Sequence, residues 1–65
     1  MDYKQKCLEV EPTAKCELKA LVEGSTKYYV IDVKGYPQIA GSTAQMTWKM
    51  FYDVLKIRGR FNTSV

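Results

Sequence analysis

The stretch STAQMTWKMFYDVLKIRGR, Ser42 to Arg60, decides the fold. At about 100° per residue, Trp48, Phe51, Tyr52 and Leu55 gather on one side of a helix, the arc suited to lie on a sheet. Met46, Met50, Val54 and Ile57 gather on a neighbouring arc, and Lys49, Asp53 and Lys56 mark a polar side. Ser42 with Gln45 three residues on has the form of a capping box, which satisfies two orphan amide donors at once. Thr47, just ahead of Trp48, is a second candidate N-cap. Gly59 is a suitable stop, because it follows Lys56 and Arg58, whose charges complement the negative end of the helix dipole. The spacing predicts a helix over Thr43–Arg58.

Upstream, the patterning changes to that of strands. KYYVIDVK, Lys27 to Lys34, is rich in β-branched and aromatic residues. Gly35 ends it, and Pro37 confines any Gln38–Ala40 strand to a short piece at a sheet edge. KCELKALVE, Lys15 to Glu23, alternates with Cys16, Leu18, Ala20 and Val22 on one parity, and Gly24-Ser25-Thr26 reads as the following turn. YKQKCLEV, Tyr3 to Val10, reads as a half-polar strand joined to the next by a turn at Glu11–Ala14, where Pro12 sits. Pairing Val10 with Ala14 sets Leu8 opposite Cys16, Glu9 opposite Lys15 and Lys6 opposite Leu18, which keeps the apolar side chains on one face. In that register Cys7 points outward and Cys16 inward, so the two cysteines do not bond to each other. Tyr28 and Tyr29, being adjacent, point to opposite faces of their strand, and an outward tyrosine beside Lys27 and Lys34 has the makings of a base-stacking platform. The expected fold is α+β: three antiparallel strands, or four with the short edge strand, then one C-terminal helix on a sheet face. Residues 1–65 form one domain, with 59–65 as a flexible basic tail.

Composition narrows the function classes. A chain of 65 residues buries only about 60% of the surface its unfolded form exposes. Domains of that size lean on disulfides, metals or a second subunit. Histidine is absent and there are two cysteines, so no four-ligand zinc site is available from one chain, and the commonest general base is missing. The carboxylates of Asp2, Asp32, Asp53 and the glutamates fall in no recognisable catalytic pair. The serines have no histidine to activate them, and GSTAQ lacks the lysine and glycine spacing of a phosphate loop. No enzyme and no cofactor are expected. The charged start MDYKQKCLEVEP is neither signal peptide nor membrane span, so the expected setting is cytoplasmic. Asn62-Thr63-Ser64 matches a glycosylation sequon, a pattern that recurs by chance.

Two surfaces remain as functional candidates. A three-strand sheet shelters about one helix face, and each medium apolar side chain left in water forgoes roughly 1.5–3 kcal/mol. The second arc of the helix is therefore covered by a curling sheet, by a second copy or by another protein. The candidate protein interface is Met46, Met50, Val54 and Ile57, with Tyr52 at the rim. The other candidate is basic. The net charge is +3, and Lys4, Lys6, Lys15 and Lys19 in the first hairpin, with Arg58, Arg60 and Phe61, form the expected nucleic-acid contact set. In outline the fold is similar to several small nucleic-acid-binding and inhibitor folds, an analogy that carries no residues across. The leading expectation is a non-enzymatic regulatory module that binds nucleic acid as a homodimer. The alternative is an inhibitor or adaptor docking through the second helix face.

Overall fold

A computed structural model describes residues 2–20 and 26–61. The expected extension of the second segment through Glu23, the Gly24–Ser25 part of its turn and the sequon at 62–64 lie outside those residues. The chain runs α1 (Tyr3–Val10), β1 (Cys16–Ala20), β2 (Lys27–Ile31), β3 (Ile39–Gly41) and α2 (Ala44–Ile57). The three strands form one antiparallel sheet in the order β1-β2-β3. An α+β arrangement with a three-stranded antiparallel sheet and a C-terminal helix is therefore present.

The first segment is a helix, and this corrects the strand expected at Tyr3–Val10. Asp2 is its N-cap, accepting the Gln5 amide on its carboxylate at 3.2 Å and satisfying one of the orphan donors of the first turn. Tyr3, Cys7 and Val10 then share a face, the i, i+4, i+7 pattern of an amphipathic helix. They turn toward the core, where Cys7 is fully buried and Tyr3 and Val10 pack beside it. The Val10–Ala14 strand register and the outward Cys7 fall with the strand. The turn at Glu11–Ala14 stands: the Ala14 amide donates to the Glu11 carbonyl at 3.0 Å, with Pro12 and Thr13 between them.

Along the sheet, Cys16 lies opposite Ile31 and Leu18 opposite Tyr29, and Ile31 lies opposite Ile39 on its other side. These residues share the face that meets the helices. Glu17, Lys19, Tyr28, Val30 and Ala40 share the other. Leu18 keeps the parity read from sequence, yet it is exposed, because the cover of the helices ends at Cys16. The core joins Cys7, Ala14, Ile31, Trp48, Phe51 and Leu55. Phe51 lies at its centre, edge-on to Tyr36 at 5.5 Å and to Trp48 at 6.4 Å.

Thr43 caps α2, accepting the Met46 amide at 3.1 Å. Neither Ser42 nor Thr47 does so. Thr47 sits one turn inside the helix, fully buried, and donates its hydroxyl to the Thr43 carbonyl at 2.7 Å. It faces Gly41, where an added Cβ would come within 2.5 Å of Thr47 Oγ1 and 2.9 Å of Met50 Cε. Only glycine lets β3 approach α2 this closely. At the far end, Gly59 takes φ of 72°. Its amide bonds the Lys56 carbonyl and the Arg60 amide bonds the Leu55 carbonyl, a Schellman closure that turns the following residues back onto the body.

Candidate functional site: an aromatic cleft beside a C-terminal clasp

Both helices begin on the same side of the sheet, and their first turns enclose a cleft of about 530 Å³. From α1 come Tyr3 and Lys4, with the capping Asp2. From α2 come Ala44, Gln45 and Trp48. The floor is Cys16 of β1 and Tyr29 of β2. The volume falls within the range of small-ligand sites, about 300–1,000 Å³. Tyr3 and Tyr29 are half-buried and Trp48 is nearly buried, so three π-systems border one opening with an exposed ammonium at its edge. The N-terminal ends of two helices add partial positive charge there, while the Asp2 carboxylate, already engaged by the Gln5 amide, offsets part of it.

The two cysteines are unbridged and differ in character. Burial pushes the Cys7 thiol up from an ordinary value of 9.0 to about 11, and its Sγ donates to the Trp48 carbonyl at 3.6 Å. Cys16, at the cleft floor, is raised by partial burial, opposed by the nearby charge of Lys4. In the native protein one thiol, Cys16, is expected to react with a disulfide reagent, and Cys7 only on unfolding. Linkage gives a second check. The folded state holds the Cys7 proton more tightly than the unfolded chain, so its contribution to stability is complete below pH 9 and is lost as pH rises toward about 11. Urea midpoints measured from pH 7 upward should be level to pH 9 and then fall, and Cys7→Ala should flatten the onset of that fall.

The sequence-predicted basic residues do not gather into one patch. Lys4 and Lys6 are exposed on α1, not on a hairpin, and two residues at about 100° each put them on nearly opposite flanks. Lys15 is exposed just ahead of β1, next to the cleft residue Cys16. Lys19 is on the other sheet face, 3.5 Å from Glu17.

Arg58, Arg60 and Phe61 are taken up by the fold. Arg60 pairs with Glu11 at 2.8 Å and also donates to the Tyr36 hydroxyl, which itself donates to Glu11 at 2.8 Å. Arg58 donates to the Gly35 carbonyl at 2.9 Å and lies over the Tyr36 ring at 4.8 Å. Phe61 stacks on Tyr52 at 4.7 Å, and Tyr52 meets Tyr3 edge-on at 5.2 Å. This clasp ties the end of α2 to the end of α1 and to the turn after β2, where Gly35 holds φ of 91°. Burial and then the Glu11 hydrogen bond raise the Tyr36 hydroxyl above its ordinary value.

The second helix arc is divided. Met50 and Val54 are half-buried, Met50 against Gly41. Met46 is 50% exposed and Ile57 86% exposed, and between them on the helix surface stands Asp53, paired with Lys49 at 3.6 Å. Tyr52 belongs to the contact with α1. The described residues contain no cluster of three or more metal-ligating side chains, and none of their helices is long and apolar enough to cross a membrane. Comparison with known protein families, with curated proteins and with solved structures returns no match.

Proposed function

We propose that this chain is a small non-enzymatic regulatory module that binds single-stranded nucleic acid at the cleft between the two helix starts. The observation that carries this reading is the meeting of Tyr3, Tyr29 and Trp48 with Lys4 around one opening. Bases offer a π-face to aromatic side chains whatever their identity, and lysines beside such a platform follow the phosphates. A base reaches a cleft of this kind only when it is unpaired. Lys4 and Lys15 are the phosphate contacts in this reading. Arg58, Arg60 and Phe61 drop out of it, because the clasp already uses their charges and ring.

Trp48 is the single tryptophan, so its fluorescence reports directly on the cleft. Single-stranded oligonucleotides are expected to quench it, with an affinity that falls as salt rises. Tyr29→Ala should weaken binding by about 1–3 kcal/mol, and Lys4→Gln should lower the salt slope by about 0.7. Absence of binding to any oligonucleotide at low salt ends the proposal. Exposed Met46 and Ile57 support the rival reading, in which α2 docks on another protein; oligonucleotide binding that survives Ile57→Glu separates the two.

A further inference from the structure

We propose that two copies of this chain join through the outer edge of β1, running antiparallel about a two-fold axis at Leu18. β1 is the edge strand of the sheet, and among the described residues no strand pairs with its outer side. An edge of this kind carries a row of unpartnered backbone donors and acceptors. Glu17, Leu18, Lys19 and Ala20 are all exposed, Leu18 at 53%.

The register follows from symmetry and charge. Side chains alternate between faces, so a two-fold axis through an antiparallel ladder sets one residue opposite its own copy. Centring on Glu17 places carboxylate against carboxylate, and centring on Lys19 places ammonium against ammonium. Both are destabilising. Centring on Leu18, the midpoint of β1, pairs the whole strand and sets each Glu17 opposite the other copy's Lys19. A lysine on an edge ordinarily discourages pairing, but here the glutamate two residues away supplies its partner, exchanging the contact now made within one strand at 3.5 Å.

The steric fit agrees. Cys16, the one β1 residue under the helices, meets Ala20 of the other copy, which is small. The two Leu18 side chains meet where the helix face of β1 is bare. The resulting sheet has six strands, since each copy contributes three. All four helices then lie on one face, and both clefts open on that side. Dimerisation at this edge is independent of what the cleft binds.

Sedimentation equilibrium of the full chain over a range of concentrations tests it. The wild type should move from the monomer mass toward twice that mass as concentration rises. Lys19→Glu and Glu17→Lys, each alone, should weaken self-association at least about tenfold. Mixing those two single variants should restore a dimer, since each then supplies the charge the other lacks, and the double variant Glu17→Lys, Lys19→Glu should dimerise like the wild type. Circular dichroism checks that each variant is folded, as expected at exposed positions. A wild type that stays at monomer mass throughout overturns the proposal. So does a dimer unmoved by either single change, or single variants that do not recover on mixing.

Discussion

Phe51→Ala is expected to leave most of the chain unfolded at room temperature. Phe51 is fully buried, touches both Tyr36 and Trp48 edge-on, and sits where the two helices and the sheet converge. Truncating a buried phenylalanine to alanine costs about 3–5 kcal/mol in lost transfer energy and residual cavity. In a chain of 65 residues, a single hydrophobic core rarely supplies more than about 3–5 kcal/mol of stability. One substitution therefore removes most or all of it. Phe51→Leu keeps much of the volume and should cost less, leaving a folded protein with a lower melting temperature. Thermal melts followed by circular dichroism distinguish these outcomes. At about 4–8 °C per kcal/mol for a domain of this size, a Phe51→Ala shift of only a few degrees would mean that the core is organised around some other side chain.

Which parts of the molecule were legible in the sequence follows from how many signals agreed at each place. α2 had a long apolar period and a glycine stop, so its body was read correctly and its start misplaced by only one residue, at Thr43. The parity of β1 was also right, because Cys16, Leu18 and Ala20 alternate with charged residues. α1 was misread because eight residues carry too little periodicity to decide. Leu8 and Val10 fit an alternating strand, while Tyr3, Cys7 and Val10 fit a helix. The deciding signal was present: Asp2 with Gln5 three residues later resembles the pairing noted at Ser42 and Gln45, and at Asp2 the cap forms. Misplacing α1 concealed the cleft, whose walls come from segments distant in the chain. The contacts of the C-terminal arginines were not legible for a different reason. Residues 59–65 read as a basic tail, but Gly59 reverses the chain and delivers Arg60 to Glu11 and Phe61 to Tyr52. Glu11 lies near the other end of the sequence from Arg60, where no local pattern announces it.

Substitutions at Glu9 separate the two readings of the first segment by backbone chemistry alone. Glu9 is exposed and lies near the end of α1, so its side chain contributes little to packing. In a helix its amide donates to the carbonyl four residues back, and proline there removes that bond and clashes with the same carbonyl, a cost of about 3 kcal/mol or more. Glycine at the same position costs about 1 kcal/mol relative to alanine, through backbone entropy. The expected order of stability is therefore Glu9→Ala close to wild type, then Glu9→Gly, then Glu9→Pro, with the last losing α1 and the cover it gives to Trp48 and Tyr52. Urea denaturation read by Trp48 fluorescence gives the order, and an earlier midpoint for Glu9→Pro should be accompanied by a reactive Cys7 thiol, since the packing of α1 on the core is what buries it. A solvent-facing position on an edge strand would give a different pattern. Proline is tolerated at such edges and alanine is a poor strand former, so equal stability of the proline and alanine variants would restore the strand and remove the wall that Tyr3 and Lys4 give the cleft.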